Sequence, residues 1–466
     1  MISTSARTEG RTERPSILSF VPRQRLDLRP DRHDIASGLP AALQGIVQKG
    51  LLERVFLDSL TPEWIFPGIA DVTPWVGNIG DQKIWTRAGL LAPNPNPVTP
   101  GADASTGTYS VEQWTSSLQT YGFGVDTNML ASAVALASKY IQDVKTLGVH
   151  AGQSMNQAAR NTLYSAYGGG RTWITVAANN TVQTVAAVDG LDVVSVNGAL
   201  TAVSGSNPLT VTVNGVANTI VAVTPTTAPV AGNRASGPGT ITLGSSVNST
   251  AGWAIAAANA PASLRPTGST ANDLGSANIA TLSLFRSAWA RLKKMNVPEI
   301  GGGYTAFITA DTLNELYSDP DFKIALTGQV ESPVWRELAI GRINGIDFIV
   351  NNEVPRLLAG GVASGQPSVN VNRCIVVGEG ALAWNPLENL GGLLNGTGIE
   401  NVPSISLMSP ATGVEVALIV RPPQDRFQNL VSTTWQTVGG FGVPTDLYDA
   451  AGDAALYKRG VVVEHA

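Results

Sequence analysis

The sequence predicts an α+β protein, and three observations support that prediction. One long stretch, roughly Asp126 to Tyr164, has apolar residues at three- and four-residue steps, the spacing of a helix with one buried face. A second stretch, Thr172 to Ala262, holds short β-branched runs separated by turn residues. After residue 278, helical and strand patterns alternate. At about 150 residues per domain, the 466 residues correspond to about three domains.

The composition is poor in charge. Charged residues make up 14% of the chain, against about 25% in a typical soluble domain. Hydrophobic residues make up 43%, and the net charge of −5 excludes the global basic field of a nucleic-acid-binding protein. A free monomer would have few charges for its surface, so we expect partner molecules to cover much of it.

The cysteine and histidine counts exclude several kinds of site. Cys374 is the only cysteine, which excludes an intrachain disulfide and a multi-cysteine metal site. His33, His150 and His465 are the only histidines, too few for a clustered zinc site. Neither a secretory h-region nor a run of about 18 apolar residues is present. We therefore expect no catalytic residue, cofactor, metal or membrane contact. We also expect the chain to be soluble and to be made in the cytoplasm.

The first 60 residues are predicted to form an N-terminal arm. Residues 1–36 mix seven arginines with five acidic residues and show little periodicity, which is typical of a disordered, weakly basic segment. A short helix is predicted from Ala41 to Leu60, and Pro62 ends it.

Residues 82–123 are predicted to form a long two-stranded hairpin. A weakly alternating run starts at Lys83, and a return strand runs from Tyr109 to Tyr121. The proline-rich tip around Pro95 cannot lie in a central ladder, because proline lacks the N–H donor. A two-stranded hairpin is marginally stable alone in water, so this one needs a neighbouring surface.

The long helix gives the strongest local signal. Asp126 is placed to cap its first turn, and Gly168 to Gly170 end the pattern. About 40 residues at 1.5 Å each would span about 60 Å, roughly twice the width of a small domain.

The stretch 172–262 is predicted to be an inserted all-β domain, a sandwich or a barrel, with its own core and an exposed surface. Its only charged side chains are Asp189, Asp192 and Arg234. Asn214-Gly215 lies between two alternating runs, the pattern of a type I′ hairpin turn.

The rest of the chain alternates helices and strands. The predicted helices are Asn278–Met295 and Ala310–Tyr317, and the predicted strands are Tyr304–Thr309, Ile346–Asn351, Cys374–Val377, Val414–Val420, Thr433–Val438 and Gly460–Glu464. Asp311, Asp319 and Asp321 lack the twelve-residue loop and closing Glu of a calcium site. We expect them to be helix-cap and turn residues.

Four local stretches and the order of the elements carry a family resemblance. The stretches are Gly122–Asp126, Tyr304–Thr309 with Leu313 and the Asp319–Phe322 corner, Gly341–Pro355, and Trp435 with Gly439–Val443. Together with the order of arm, hairpin, long helix, α/β part and returning strand, they resemble the major capsid proteins of tailed double-stranded DNA phages, a fold that encapsulins share. The resemblance covers about residues 40–466 outside the inserted domain.

The resemblance implies a tailed-phage major capsid fold with an inserted all-β domain, and it divides the chain into seven parts. These are an N-terminal arm (1–60), the start of a peripheral domain (61–81), an extended hairpin (82–123), the spine helix of the peripheral domain (124–171), the inserted domain (172–262), an axial domain (272–402), and the return to the peripheral domain with the C-terminal strands (403–466).

The resemblance also implies a structural role without enzymatic activity. Copies of such a subunit form the hexamers and pentamers of an icosahedral phage head that encloses double-stranded DNA, assembled in the bacterial cytoplasm. The implied partners are further copies of the chain, a scaffold protein, a portal and packaged DNA contacted without sequence specificity, with a cement protein as a further candidate.

Six residues are the candidates for contacts between subunits. Trp85, Trp114 and Tyr121 are chosen on the hairpin, since aromatic residues dominate interface hot spots. Arg23, Arg25 and Arg29 are chosen on the arm, because its interspersed acids disfavour a dedicated phosphate-binding role.

Two other functions stay open on the sequence. An encapsulin-like compartment would share the fold. A β-rich phage tail or surface protein would explain the inserted domain but not the long helix or the α/β part. An enzyme is the third alternative, and it is disfavoured because nucleotide-binding and nucleophile-elbow motifs are missing from the sequence. His150 is expected to be a surface or interface residue.

Overall fold

The computed structural model describes residues 51–466 with internal gaps. The gaps are 76–79, 81, 89–90, 92, 99–100, 102, 104–105, 109–110, 131–138, 197–198, 230–234, 259, 262, 328–341, 362–365, 389, 391–403, 411–413, 422, 424, 428 and 445–458. Arg23, Arg25, Arg29 and the first half of the helix predicted from Ala41 therefore lie outside the described residues.

The longest described helix is Lys139–Tyr167, the spine helix, whose 29 residues span about 43 Å. The other α-helices are Leu51–Leu60, Leu282–Lys294, Ala310–Ser318 and Pro320–Thr327, with short 3-10 helices at Thr61–Glu63, Phe66–Ile69 and Ala271–Asp273. Among the described helices, none combines the length and the apolar character that crossing a membrane requires.

The prediction that the long helix starts at Asp126 is wrong. Asp126 lies in the strand Gln119–Asn128, opposite Ser432. Ten consecutive residues of this strand have ladder partners in Leu430–Gly442, so tertiary pairing overrides the local capping signal. At the other end the helix continues to Tyr167, and the predicted glycines follow it.

One sheet, the spine sheet, packs against the first half of the spine helix. Its central strand, Leu430–Gly442, is 13 residues long. Its other strands are Asp71–Val72, Gln119–Asn128, Ala383–Pro386, Ser404–Met408 and Val416–Arg421. Side chains of the helix, including Tyr140 and Leu147, share one core with Trp384 and Trp435 of the sheet.

A second sheet, the axial sheet, contains four of the predicted strands, Tyr304–Thr309, Ile346–Asn351, Cys374–Val377 and Gly460–Glu464. The predicted strands Val414–Val420 and Thr433–Val438 lie in the spine sheet instead. The strand order of the axial sheet is Ser263–Leu264, Gly460–His465, Val371–Val377, Tyr304–Ile308, Ile346–Val350 and Arg342–Ile343, and Arg356–Leu357 pairs beside Val371–Val377. The helix Leu282–Lys294 begins four residues later than predicted. Thr281 caps it, and the Asp319 carboxylate accepts a hydrogen bond from Leu282 N at 2.7 Å.

The charge-poor stretch folds as a closed six-stranded barrel. The strand order is Arg171–Trp173, Ala254–Ala257, Leu209–Val213, Val216–Pro225, Gly239–Asn248 and Asn179–Val185. The pairing of Ile174 with Val185 joins the first strand to the last and closes the barrel. A separate two-stranded ribbon, Val193–Val196 with Ala199–Ala202, lies within the same stretch.

The core of the barrel is continuous with the core of the rest of the chain. Its buried residues, such as Val211 and Ile241, form one cluster with Leu163 and Tyr167 of the spine helix and with Phe307 of the axial sheet. The barrel is therefore packed onto the rest of the chain. That it is an insertion relative to related proteins stays a prediction.

Candidate subunit interface

The predicted hairpin is present, and its stem is shorter than expected. Gln82–Ala88 pairs with Val111–Ser117 in antiparallel register, with Trp85 opposite Trp114. The two indole rings stack in parallel, with centroids 6.2 Å apart and planes 3° apart. Such aromatic cross-strand pairs stabilise an antiparallel ribbon. The return strand was predicted to reach Tyr121, but it ends at Ser117 because residues 119–128 join the spine sheet.

A buried asparagine joins the base of the stem to the spine sheet. The side-chain nitrogen of Asn385 donates a hydrogen bond to the Thr73 carbonyl oxygen at 3.3 Å. The side-chain oxygen of Asn385 accepts hydrogen bonds from Trp85 Nε1 at 3.2 Å and from the Ser116 hydroxyl. Asn385 and Ser116 are both buried. The stem is therefore fixed to the body of the chain by hydrogen bonds shielded from water.

Glycines in the spine sheet make room for the stem. Side chains at Gly440 and Gly442 would meet the backbone of Ser117 and the side chain of Ser116. Both glycines lie in the Gly439–Val443 stretch that carried part of the family resemblance. The contacts of Asn385 and of these two glycines with the stem were not predicted, although a glycine-rich run inside a strand signals a close backbone approach.

The hairpin exposes apolar side chains, one on the stem and two beyond it. Ile84, Leu91 and Val98 have 63%, 54% and 55% of their surfaces exposed. The described residues around Pro95 lie outside regular strands, as expected for a proline-rich tip. We call residues 82–117 the hairpin arm. These exposed apolar side chains can be buried only against another surface.

The six predicted contact residues differ in what they expose. Trp85 is half-buried, while Trp114 retains only 2% exposure and offers little surface to another chain. Tyr121 is half-buried on the spine sheet, where burial raises the pKa of its hydroxyl. The three arginines lie outside the described residues. A role in subunit contacts stays a prediction for all six.

The residues weighed for chemistry have structural partners. His150 lies between Phe123 and Trp435, and Trp435 Nε1 donates to its Nδ1 at 3.4 Å. A surface or interface role for His150 stays a prediction. Asp311 pairs with Arg356 at 2.9 Å. In the described part of the chain, no group of three or more His, Cys, Asp or Glu side chains is placed to hold a metal ion.

A buried polar cluster surrounds His465 in the axial sheet, and no sequence pattern predicted it. His465 is fully buried in the last strand, with Nδ1 2.9 Å from a Glu315 carboxylate oxygen. Its Nε2 lies 2.8 Å from Thr312 Oγ1 and 3.8 Å from Cys374 Sγ. Burial opposes protonation, but the contacts with Cys374 and Glu315 outweigh it and raise the pKa of His465 to about 9.

Comparison with known proteins gives matches among solved structures alone. No protein-family model matches the sequence, and no curated protein sequence matches it. The chain is similar to the capsid of Ralstonia phage GP4, with a TM-score of 0.50 and 10% identity over 85% of this chain and 87% of that one.

Two cyanophage capsids are also similar to this chain. For cyanophage P-SCSP1u the TM-score is 0.44, with 10% identity over 86% of this chain and 88% of that one. For the cyanophage Pam1 capsid asymmetric unit the TM-score is 0.45, with 10% identity over 84% and 86%. The likeness to the GP4 capsid shows the fold, so the predicted α+β class and phage capsid fold are confirmed.

Proposed function

We propose that this chain is a structural protein, the major capsid subunit of a tailed phage. In this proposal its copies form the hexamers and pentamers of an icosahedral head around double-stranded DNA. The observation that supports it most is the likeness to the capsid of Ralstonia phage GP4, which covers 85% of this chain and 87% of that chain. Because fold alone does not fix function, the surface of the chain has to support the same role.

The hairpin arm is the feature most suited to joining subunits. Its stem is held by Asn385 and by the close approach at Gly440, so the arm is fixed where it leaves the body. Ile84 on the stem, and Leu91 and Val98 beyond it, remain exposed. In the proposed head the arm lies across a neighbouring copy, and closed symmetry turns this one contact into a shell. Obligate interfaces typically bury more than about 2,000 Å².

The scarcity of charge fits the same role. A chain in which only 14% of the residues are charged suits a subunit that is covered by its neighbours on several sides. The remaining partners in this proposal are a scaffold protein, a portal, packaged DNA and, as a further candidate, a cement protein. The finished product is a virion component, assembled in the cytoplasm of the bacterial host.

The particle state of the purified chain tests the proposal. Size-exclusion chromatography and electron microscopy of the expressed protein should show closed particles in the megadalton range, or capsomers that close when a scaffold protein is added. A chain that stays monomeric at every concentration, with and without scaffold, contradicts the proposal. Particles that enclose a dedicated cargo protein instead of DNA would favour a compartment shell with the same fold.

A further inference from the structure

The helix Leu282–Lys294 carries a local concentration of positive charge. Its 13 residues include four basic side chains and no acidic one, in a chain whose net charge is −5. Three of the four, Arg286, Arg291 and Lys294, are exposed and form no hydrogen bond or ion pair with any described residue. This helix therefore produces a positive field that the net charge of the chain conceals.

Acidic side chains that contact the helix already have a partner on it. Glu299 pairs with Lys293, the fourth basic residue, at 2.6 Å. At the start of the helix, the Asp319 carboxylate accepts a hydrogen bond from Leu282 N at 2.7 Å. The charges of Arg286, Arg291 and Lys294 are left for a partner outside the chain.

The three unpaired cations lie on the side of the helix that faces away from the core. The buried side chains of the helix belong to one hydrophobic cluster with strands of the axial sheet, and they are Leu282, Phe285, Ala288 and Leu292. From Arg286 to Lys294 the helix rises about 12 Å, at 1.5 Å per residue. Because the opposite side is packed, the spacing between the cations is fixed at their Cα atoms.

The other residues on the exposed side indicate what kind of partner fits. Every residue of the helix that is exposed is a serine, an arginine or a lysine. Protein interfaces depend on aromatic and other large side chains as anchors, and lysine and serine are depleted in them. Interfaces with DNA are polar and positively charged, and these three residue types are among those that contact phosphate oxygens.

We propose that the exposed side of the helix Leu282–Lys294 binds the phosphate backbone of double-stranded DNA without sequence specificity. Arg286, Arg291 and Lys294 donate charge-assisted hydrogen bonds to phosphate oxygens and displace the counterions of the duplex. This inference rests on the proposed function, in which the chain encloses double-stranded DNA, and it names the surface that contacts the DNA.

The salt dependence of DNA binding by the full chain tests this surface. Fluorescence anisotropy of a labelled duplex of random sequence gives the binding constant at several salt concentrations. The slope of its logarithm against the logarithm of salt concentration is about −0.9 for each phosphate contact. In the triple variant Arg286→Gln, Arg291→Gln, Lys294→Gln the slope should become shallower by about 2–3, and at low salt the dissociation constant should rise about tenfold or more.

A second triple variant controls for the loss of charge alone. Arg54→Gln, Lys145→Gln and Arg421→Gln together remove the same three charges from exposed positions on three other elements. This variant should keep the wild-type salt slope. All six positions are exposed, so both triple variants should fold, and a thermal scan verifies that they do.

The proposal is overturned if the helix variant keeps the wild-type slope or if both triple variants lose slope equally. It is also overturned if a poly-glutamate peptide of equal charge binds as tightly as the duplex, because the partner is then an acidic protein segment. Electron microscopy separates this result from the proposed function. An unchanged slope in a helix variant that still forms closed particles contradicts the DNA surface alone, and a wild-type chain that forms no particles contradicts the proposed function.

Discussion

The carbonyl oxygen of Ser117 lies so close to Gly440 that any side chain at position 440 would overlap it. Ser117 is the last residue of the hairpin stem, and Gly440 lies near the end of the central strand of the spine sheet. This contact is where the stem crosses the sheet. The absence of a side chain at Gly440 thus sets how closely the hairpin arm approaches the body.

Gly440→Ala should loosen this crossing. The added methyl group meets backbone atoms, which cannot rotate away, so the stem or the strand has to shift. We expect the free energy of unfolding to fall by about 1–3 kcal/mol, in the range of overpacking substitutions. Chemical denaturation measures this loss, and limited proteolysis of the hairpin arm should become faster.

Gly205→Ala is the control for that substitution. Gly205 has open space around the position of a Cβ and no positive φ, so its replacement should leave stability within about 0.5 kcal/mol of the wild type. Equal stability of the two variants would contradict the role assigned to Gly440.

His465 should make the stability of the chain depend on pH above neutrality. Its pKa is raised from 6.5 to about 9 in the folded chain. A raised pKa means that the folded state holds the proton more tightly, so this stabilisation is complete below pH 6.5 and is lost as the pH rises towards 9. The loss should be roughly 1–3 kcal/mol in the free energy of unfolding, measured by denaturation at several pH values.

Glu315→Gln should reduce that pH dependence. In the wild type, Ala280 N donates a hydrogen bond to the Glu315 carboxylate at 2.6 Å. The glutamine amide oxygen can still accept this hydrogen bond, but the substitution removes the negative charge beside His465. Glu379→Gln makes the same change at an exposed position and should retain the wild-type pH profile. A profile that is identical in the wild type and in Glu315→Gln would show that His465 is not held as the imidazolium by this carboxylate.

Glu464→Gln should be strongly destabilising. Burial opposes the ionisation of Glu464, but Arg265 and Arg373 outweigh it and hold the pKa of its carboxyl group below the usual value. Removing that charge leaves the buried Arg265 guanidinium without its counterion, which typically costs about 3–5 kcal/mol.

Asp58→Asn removes one partner of an exposed ion pair, with Arg54, and should change the unfolding free energy by less than about 1 kcal/mol. A thermal scan of both variants gives the comparison. If the two substitutions cost the same, the pairing of Glu464 does not stabilise the C-terminal strand.

Local patterns predicted those elements whose structure is decided locally. Asn214 and Gly215 have φ angles of 47° and 83°, the left-handed values that a type I′ turn requires, so this hairpin could be predicted from two residues. The strand Tyr304–Ile308 and the helix Ala310–Ser318 also follow the predicted pattern, because Thr309 caps the helix directly after the strand.

Features that depend on distant residues were not predictable in this way. Asp126 has the sequence of a helix cap but pairs with Ser432, about 300 positions along the chain. The strand Gly460–Glu464 was predicted, but the burial of His465 directly after it was not. Its burial follows from the insertion of Gly460–His465 between two other strands of the axial sheet, which no local pattern records.

Deleting residues 93–108 should leave a folded subunit that no longer forms closed particles. The deletion removes the tip and keeps the stem, the Trp85–Trp114 stack and the Asn385 contact. Thermal stability should therefore stay close to that of the wild type, while electron microscopy should show free subunits or open fragments in place of shells. Full-size shells from this variant would contradict the role proposed for the hairpin arm.

A milder version of the same test changes only apolar surface. Leu91→Ser combined with Val98→Ser removes two exposed apolar side chains from the hairpin arm without disturbing a core. Val216→Ser is the matched control, because Val216 is 69% exposed on the barrel. Burial of an apolar side chain in an interface is worth about 1.5–3 kcal/mol, so the double variant should need a higher protein concentration to assemble, and the control should assemble like the wild type. Equal assembly of the two variants would place the contact between subunits elsewhere than on the arm.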